Sequence, residues 1–215
     1  MSAIIEIKNL SKNFARRPAV SDVNLSVENG EIFGLVGPNG AGKTTTMRMV
    51  VTLLQPDRGE ILVGGHSVRK FPREVRRMIG FMPDSFGVYN DMTVQEYLDF
   101  FGACYKIPPA QRKTLLNDLL QLVDLAHRRN DMVDTLSRGL KQRLSIARVL
   151  IHDPSILILD EPASGLDPRA RVEIRELLLE IARLGKTIIF SSHILADVAV
   201  LCTRVGIMEG GNRAA

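Results

Sequence analysis

The sequence contains little cysteine and no long apolar run, and both absences limit what the chain can be. Its two cysteines, Cys104 and Cys202, lie far apart and in no metal-binding spacing, so we expect buried thiols in a reducing cytosol. The N-terminus lacks the basic segment and apolar stretch of a signal peptide. No stretch approaches the roughly 20 apolar residues of a membrane span, so we expect any action at a membrane to require another chain.

The charge of the chain is nearly balanced. It carries 28 basic and 24 acidic residues, a formal net charge of +4, and the basic residues are spread along the sequence. The short cluster of Arg73, Arg76 and Arg77 is typical of a solvated surface. The sequence also lacks internal repeats, low-complexity tracts and coiled-coil heptads. We therefore expect no direct binding to nucleic acid.

Short apolar runs alternate with amphipathic stretches, and this alternation predicts an α/β fold. The predicted strands are Ala3–Leu10, Val20–Val27, Glu31–Val36, Gly59–Val63, Ile79–Met82, Ser155–Leu159 and Thr187–Phe190. A first helix is predicted from Gly42 to no later than Gln55, because Pro56 follows. Another helix is predicted between a cap at Asp167 and a stop at Gly185.

The middle of the sequence has a more helical character than the two ends. Thr93 and Glu96 form the sequence pattern of a capping box at a helix start. A further helix is predicted over Leu115–Leu125. The chain is therefore predicted to be one domain over residues 1–215, in which a helical subdomain is inserted into a core: residues 84–150 between 1–83 and 151–215.

A glycine-rich segment fits the pattern G-x-x-x-x-G-K-[ST] of a phosphate-binding loop, and it lies between an apolar strand and a helix as that pattern requires. Glycines let the backbone wrap and aim its N–H groups at phosphate oxygens, and the helix adds its positive end. Lys43 is predicted to reach the β- and γ-phosphates of ATP, and the Thr44 hydroxyl to bind Mg²⁺. The residues predicted to contact nucleotide here are Gly37, Pro38, Asn39, Gly40, Ala41, Gly42, Lys43, Thr44 and Thr45.

An acidic pair, Asp160 and Glu161, follows the apolar run that ends at Leu159. Neighbouring residues of a strand point to opposite sides, so the two carboxylates can have different roles. Asp160 is predicted to hold Mg²⁺, and Glu161 to act as the general base that polarises the attacking water. Alone, such a pair also occurs as a helix cap or a solvated edge, but the nearby phosphate-binding pattern favours the catalytic interpretation.

A histidine, His193, follows the predicted strand Thr187–Phe190 and the pair Ser191-Ser192. A lone histidine is more often a structural or surface residue than a catalytic one. This strand is expected to end beside the phosphate-binding loop, where α/β sheets bind their ligands. A contact between His193 and the γ-phosphate is therefore the functional alternative.

The chain resembles the ATPase subunit of an ATP-binding cassette (ABC) transporter over essentially its whole length. The most specific element is the run Leu136-Ser137-Arg138-Gly139-Leu140-Lys141-Gln142-Arg143, which is similar to the family signature LSGGQ and the Q-R pair that follows it. The resemblance implies that Ser137 and Gly139 contact the γ-phosphate bound by an opposite subunit, with the dipole of the following helix in support. Without the other motifs, Leu-Ser-Arg-Gly would be an ordinary helix start.

Other family positions match one at a time. The run Ser164-Gly165-Leu166-Asp167 matches the D-loop of the family's dimer interface, and His193 matches the switch histidine. Phe14 falls where the family places an aromatic residue that stacks on adenine. Packing of Phe14 in the protein core is the alternative interpretation.

Three positions depart from the family pattern. Asp84 stands where glutamine is usual, and it remains a candidate Mg²⁺ ligand although it is shorter and charged. Arg138 replaces a glycine and either adds positive charge near phosphate or points to solvent. Leu140 replaces a glutamine. We expect these departures to change the site geometry more than the basic reaction.

The resemblance implies a P-loop NTPase fold of the ABC-ATPase type, with a mostly parallel core sheet, an N-terminal antiparallel β subdomain and an inserted α-helical subdomain. It implies an ATPase that uses ATP and Mg²⁺ and forms a homodimer, or a heterodimer with another ATPase subunit. The pair would drive a separate multi-spanning permease from the cytoplasmic face of the membrane. The segment Asp84–Tyr97 belongs to the expected docking surface, with Phe86 and Tyr89 as contact candidates.

Two stretches, Gly87–Val94 and Ser164–Arg171, look most like bacterial exporters of the ABC-2 type. Such subunits usually continue further than this chain does after Glu209, so we expect an incomplete C-terminus. Two other functions stay open. A soluble ABC ATPase acting on nucleic acid, ribosomes or cluster assembly would usually carry a long coiled coil or a second cassette. A binding module that barely hydrolyses ATP is disfavoured by the acidic pair after Leu159.

Overall fold

The computed structural model describes residues 3–15, 17–84, 87 and 91–213, and the predicted contact residues Phe86 and Tyr89 lie outside this set. Its strands are β1 (Ala3–Phe14), β2 (Arg17–Glu28), β3 (Ile32–Val36), β4 (Arg58–Val63), β5 (His66–Ser67), β6 (Ile79–Met82), β7 (Ile156–Leu159), β8 (Thr187–Ser192), β9 (Arg204–Glu209) and β10 (Asn212–Arg213). Its α-helices are α1 (Lys43–Val50), α2 (Pro72–Met78), α3 (Val94–Cys104), α4 (Pro109–Leu122), α5 (Arg138–Leu150), α6 (Pro168–Arg183) and α7 (Leu195–Leu201).

The N-terminal strands form an antiparallel sheet in the order β2-β1-β4-β5. Ile5 of β1 pairs with Val27 of β2 and with Val63 of β4, and all three side chains are buried. Lys8, on the opposite face of β1, is exposed. This alternation of buried and exposed residues is typical of a sheet with one face on the core, and it confirms the predicted antiparallel β part.

The second sheet has the order β10-β9-β3-β8-β7-β6 and is parallel except for the β9–β10 pair. Every residue of β7 is buried. Leu157 and Leu159 pack into the core cluster shared with the helices, whereas Ile156 and Ile158 pack into the cluster shared with the antiparallel sheet. Because both faces of β7 are covered, its sequence is a continuous apolar run.

The carboxyl ends of the central parallel strands lie at one edge of this sheet. β3 leads into the loop that begins at Gly37, β7 leads into Asp160, and β6 ends two residues before Asp84. β8 ends immediately before His193. The neighbouring pairs β3–β8, β8–β7 and β7–β6 are in parallel register. Four segments that are distant in sequence therefore meet at one place.

Helices α3, α4 and α5 pack together over one face of the central sheet, and the capping box predicted at the start of α3 is confirmed. Thr93 Oγ1 accepts from the Glu96 N–H at 3.3 Å, and the Glu96 carboxylate accepts from the Thr93 N–H at 2.8 Å. The sheets and helices confirm the predicted fold class, while the subdomain boundaries remain a prediction. The core between these helices includes Tyr97, Leu98, Leu120 and Leu144.

The predicted helix over Leu115–Leu125 is wrong at both ends, because α4 spans Pro109–Leu122. Proline suits the first position of a helix, since its φ fits and its missing N–H is not needed there. Asp124 has a φ of 56°, so the helical conformation ends before the predicted stop. Within the described residues, no helix combines the length and the apolar character needed to cross a membrane.

The prediction of two buried thiols is wrong for Cys104, which is exposed at the end of α3. Cys202 is half-buried, and its Sγ lies only 2.7 Å from the position that a Cβ on Gly34 would take. The glycine therefore makes room for the sulfur. Burial raises the pKa of the Cys202 thiol to about 12, so this thiol stays protonated near neutral pH.

Candidate active site

The loop between β3 and α1 is shaped by glycines that no other residue can replace without a shift. Gly42, the N-cap of α1, has a φ of 95°, in the left-handed region that favours glycine. A Cβ at this position would lie 2.4 Å from the Ala19 carbonyl oxygen. A Cβ on Gly37 would lie 2.2 Å from the Met208 carbonyl oxygen. The loop thus packs closely against β2 and β9 at Gly37 and Gly42, and a side chain does not fit at these two positions.

The side chain of Lys43 lies within this loop and is buried. Its Nζ donates to the carbonyl oxygens of Gly37 at 2.6 Å and Pro38 at 3.2 Å, and it lies 3.4 Å from Glu161 Oε1. The loop therefore holds a positive charge at its centre. The surrounding P-loop pocket has a volume of about 190 Å³ and is lined by Ala19, Asn39, Gly40, Ala41, Gly42, Lys43, Thr44, Thr45, Asp84 and Glu161.

Asp160 is almost completely buried at the end of β7. Its N–H donates to the Met82 carbonyl at 2.8 Å, and its Oδ1 accepts from the Ser191 hydroxyl at 2.6 Å. The same Ser191 oxygen accepts from the Glu161 N–H at 2.9 Å. Ser191 therefore orders both acidic residues at once. No sequence motif predicts this role, and the only signal is the position of Ser191 after the apolar part of β8.

Glu161 is held in an unusual backbone conformation. Its φ of 51° lies in the left-handed region, which costs roughly 1–3 kcal/mol for a residue other than glycine. Its Oε2 lies 2.8 Å from His193 Nδ1, and its Oε1 faces Lys43. The carboxylate is thus fixed between two nitrogen groups at the wall of the P-loop pocket. In that place it can accept a proton from a water molecule.

Two of the three predicted metal ligands line this pocket, and the third is next to a lining residue in the sequence. Thr44 and Asp84 line it, and Asp160 directly precedes the lining residue Glu161. Hydroxyl and carboxylate oxygens suit Mg²⁺, which usually takes one or two carboxylates together with substrate phosphates. Among the described residues no group of three or more His, Cys, Asp or Glu side chains could hold a metal ion. The hydroxyl of Thr44 and the carboxylates of Asp84 and Asp160 are oxygen ligands of the kind that suit a magnesium ion shared with a nucleotide.

Phe14 lies at the end of β1, outside the residues that line the P-loop pocket. Its side chain is 49% exposed, which contradicts packing in the core. The Lys12 ammonium lies 5.7 Å from its ring centroid. Phe14 pairs with Arg17, two residues before the pocket residue Ala19, so the ring lies on the same β hairpin as part of the pocket wall.

The signature residues lie elsewhere, at the start of α5. The Ser137 hydroxyl caps this helix and accepts from the Leu140 N–H at 3.4 Å. The exposed Arg138 side chain lies against the D-loop, with its Cζ 2.5 Å from where a Cβ on Gly165 would be. Leu140 is partly buried against the core, which explains an apolar residue at this position.

The signature residues and the D-loop form a pocket of about 280 Å³, which we call the signature pocket. Its lining includes Ser137, Gly139 and Asp167. Asp167 also caps α6, because its Oδ1 accepts from the Ala170 N–H at 2.9 Å. In the described part of the chain, no residue lines both the signature pocket and the P-loop pocket. The structure thus brings Lys43, Asp84, Glu161 and His193 together but keeps Ser137 and Gly139 apart from them.

Known proteins resemble this chain throughout its length. A family model described as ABC transporter matches residues 20–164. The linearmycin resistance ATP-binding protein LnrL of Bacillus subtilis (strain 168) is 36% identical over 208 residues, which are 97% of this chain and 67% of that protein. The Nod factor export ATP-binding protein I of Burkholderia lata is 38% identical over 213 residues, 99% of this chain and 70% of that protein. The structure of CbiO1 from Clostridium perfringens, part of the ABC transporter complex CbiONQ, covers 100% of this chain and 88% of its own with a TM-score of 0.90 and 29% identity.

The matched region contains the main features of the site. It spans the P-loop, the signature run and the acidic pair Asp160 and Glu161. Subunits of this family bind and hydrolyse ATP to drive transport, and a membrane permease is their implied partner. The chain belongs to the ABC transporter family, as an ATP-binding and ATP-hydrolysing subunit.

Proposed function

We propose that the chain binds ATP with Mg²⁺ in the P-loop pocket, hydrolyses it with Glu161 as general base, and drives export through a separate permease. The observation that carries this proposal is the position of the Glu161 carboxylate. It lines the P-loop pocket and is held between Lys43 and His193. An oriented carboxylate beside a phosphate-binding loop is the arrangement that in-line attack by water needs.

The residues around the nucleotide would have distinct tasks. Backbone N–H groups of the P-loop and the start of α1 bind phosphate, and Lys43 balances the charge of the β- and γ-phosphates. Thr44, Asp160 and Asp84 are the residues that would hold Mg²⁺, which neutralises negative charge on the phosphates when bound. Phe14 would offer the face of its exposed ring to adenine.

Two side chains would handle the attacking water and the transferred phosphate. Glu161 accepts a proton from the water as it attacks, and its partly buried place limits competition from solvent. The His193 ring holds the carboxylate through Nδ1 and would contact the γ-phosphate with its other edge. Because the reaction needs little covalent help, catalysis would consist of positioning and charge stabilisation.

A second ATPase subunit would complete each site. Ser137 and Gly139 line a pocket separate from the P-loop pocket, so within one chain they do not reach the nucleotide. In a head-to-tail pair, identical or not, the signature of one subunit covers the nucleotide of the other. ATP then holds the interface together, and loss of the γ-phosphate releases it.

A groove between the central sheet and the helices α3 and α4 would receive the permease. We call it the basic groove; its larger part has a volume of about 1040 Å³. Of the residues that the structure describes, four arginines and one aspartate line it, and that aspartate is already paired with Lys186. We propose an occupant with acidic and apolar side chains, a cytoplasmic segment of the permease that holds the chain at the membrane's cytoplasmic face. The lining includes Arg48, Arg76, Arg77, Arg148, Leu53, Phe81 and Tyr105.

The direction of transport is proposed from the relatives. One is named for export of Nod factor and another for resistance to linearmycin. Removal of a compound from the cell is the simplest activity that both names share. The exporter-like runs Gly87–Val94 and Ser164–Arg171, which lead into α3 and α6 in the sequence, also favour export.

The catalytic role is tested with Glu161→Gln, which keeps the shape of the side chain and removes the base. We expect phosphate release to fall by at least roughly 100-fold, the usual contribution of a general base. ATP binding should persist, and an ATP-bound dimer should accumulate, which size-exclusion chromatography with light scattering would detect. Glu180→Gln, an exposed change on α6, is the control. Phosphate release near the wild-type rate would remove Glu161 from this role.

The docking site is tested by charge reversal on α2. Arg77 is exposed and lines the basic groove, so Arg77→Glu places a negative charge opposite the acidic partner proposed here. Like charges at an interface cost several kcal/mol, so we expect membrane retention in the native host to fall by at least roughly tenfold. Arg73→Glu makes the same charge change on the same helix, outside the groove lining. Equal membrane retention for both variants would contradict the assignment.

A further inference from the structure

Hydrogen bonds fix the backbone on both sides of Glu161. On its N-terminal side, the Glu161 N–H donates to the Ser191 hydroxyl at 2.9 Å. On its C-terminal side, the carbonyl oxygen of Pro162 accepts from the Gln142 amide nitrogen at 2.5 Å. The left-handed φ of Glu161 is disfavoured for a residue with a side chain, and such a conformation persists only when its surroundings enforce it. These two contacts are therefore candidates for that task.

Gln142 reaches this segment from a different part of the chain, the signature helix α5. Gln142 is only 7% exposed, so little water can reach its side-chain amide. The amide therefore depends on other protein groups for its hydrogen bonds. Pro162 has no N–H, and its carbonyl is the backbone group left to anchor it. The Arg138 guanidinium lies against Gly165 and is a second contact between α5 and residues 161–167. Helix α5 and residues 161–167 are thus joined twice within one subunit.

We propose that Gln142 is a positioning residue that aims the Glu161 carboxylate into the P-loop pocket. The proposal rests on the role of Glu161 as general base given above. The Gln142 amide fixes the Pro162 carbonyl, and this carbonyl limits rotation of the Glu161 backbone. The carboxylate then stays between Lys43 and His193, where a water beside the phosphate can reach it. Helix α5 begins at the signature, which would face the second subunit. The hydrogen bond from Gln142 to Pro162 therefore connects the Glu161 segment to that part of the chain.

Gln142→Met tests the amide, because methionine fills a similar volume and cannot donate. We expect kcat for ATP hydrolysis to fall by roughly 10- to 100-fold, since about 1 Å of misplacement has an effect of that size. We expect KM for ATP to change by less than about twofold, because no nucleotide contact is removed. An unchanged thermal unfolding midpoint would exclude global unfolding as the cause.

Ser145→Ala is the matched control on the same helix. Ser145 is fully buried on α5, and its hydroxyl has no hydrogen-bond partner among the described residues. Replacing it removes a buried hydroxyl that forms no hydrogen bond to the Glu161 segment in the described part of the chain, so kcat should remain at the wild-type value. An equal fall in kcat for both variants would show a general sensitivity of α5 and would overturn the positioning role.

Gln142→Glu tests the hydrogen bond through the pH dependence of kcat, which a packing defect would not change. When protonated, the new carboxyl donates its O–H to the Pro162 carbonyl; when ionised, it repels that oxygen. Burial raises the pKa of such a carboxyl, so kcat relative to wild type should rise as the pH is lowered from about 8 to about 6. A ratio that does not change with pH would overturn the proposal, and this experiment decides the matter if Gln142→Met does not fold.

The Gln142 and Glu161 variants together distinguish a wrong role for Gln142 from a wrong role for Glu161. A Gln142→Met variant with wild-type kcat, or with a raised KM and unchanged kcat, would overturn the positioning role alone, provided that Glu161→Gln is inactive. An active Glu161→Gln variant would instead remove the general base itself.

Discussion

Several single side chains at the site have both a structural and a proposed functional role. Ser137 caps α5 while it is the predicted contact to the partner's nucleotide, and Asp167 caps α6 while it belongs to the D-loop. Loss of an N-cap usually costs about 1 kcal/mol of stability. Kinetic changes in variants of these residues therefore need a stability measurement beside them before a catalytic role is inferred.

Outside the site, His152 is a half-buried titratable group of the basic groove. Its ring stacks on Tyr105 with 4.3 Å between centroids, and its Nε2 lies 3.1 Å from the Ile79 carbonyl oxygen. In the described part of the chain its Nδ1 has no hydrogen-bond partner. Burial lowers the pKa of His152, the Ile79 carbonyl and Asp153 act against this shift, and Lys186 adds to it. The folded protein thus favours the neutral imidazole.

This environment predicts a loss of stability in mild acid. The unfolded chain, with a histidine pKa near 6.5, binds a proton on His152 more readily than the folded protein does. The contribution of this group is therefore complete above that pH and declines as the pH falls towards the lower folded pKa. We expect His152→Gln to lose less unfolding free energy than wild type between about pH 7.5 and about pH 5.5.

Urea denaturation at the two pH values provides the measurement. The exposed His127, in a short turn after α4, supplies the control: His127→Gln should keep the pH dependence of the wild type. Identical pH dependences for His152→Gln and the wild type would contradict the assignment of this effect to His152.

At the scale of elements, the strands of the central sheet were the easiest to predict. β6 was predicted with its observed bounds, and β3 and β7 to within one residue, because buried parallel strands have uninterrupted apolar sequences. The P-loop could also be predicted, since its glycines, lysine and threonine lie within one short segment of the sequence. Strands and loops that are determined by adjacent residues could therefore be predicted from the sequence alone.

Other elements had no comparable signal. β9 alternates between buried and exposed residues, β10 has only two residues, and α2 and α7 have seven each. The bonds from Gln142 to Pro162 and from Ser191 to Asp160 join residues 20 and 31 positions apart. Such pairings depend on the packing of helices and strands, which spacing along one sequence does not determine.

The start of α3 allows a test of how much local sequence contributes to stability. Thr93→Ala removes the hydroxyl that caps the helix, and Glu96 loses its reciprocal side-chain partner. We expect unfolding to become easier by about 1 kcal/mol, as for other N-caps. The control Thr114→Ala lies on the exposed side of α4, where alanine is the better helix former. Chemical denaturation that gives the same unfolding free energy for both variants would contradict the capping role.

At the scale of the whole molecule, the central sheet separates two cores and carries the site on its edge. One core contains α3 to α7, and the other contains the antiparallel sheet, α1 and α2. The P-loop pocket adjoins the second core, whereas the signature pocket lies between α5 and α6. A single chain therefore holds both the P-loop pocket and the signature pocket but does not bring them together.

In the proposed dimer, each working site takes its P-loop from one subunit and its signature from the other. Lys43→Ala disables the P-loop and leaves the signature intact. Ser137→Asp keeps a good N-cap on α5 but places a negative charge where the partner's phosphate would come. Each variant alone should therefore show almost no ATP hydrolysis.

The most direct test is the rate of phosphate release when these two inactive variants are mixed in equal amounts. In a mixed dimer, the P-loop of the Ser137→Asp subunit meets the intact signature of the Lys43→Ala subunit, so one of the two sites is complete. With random pairing we expect about a quarter of the wild-type rate, because about half of the dimers are mixed and each has one intact site. A mixture no more active than its separate components would contradict a site shared between two subunits.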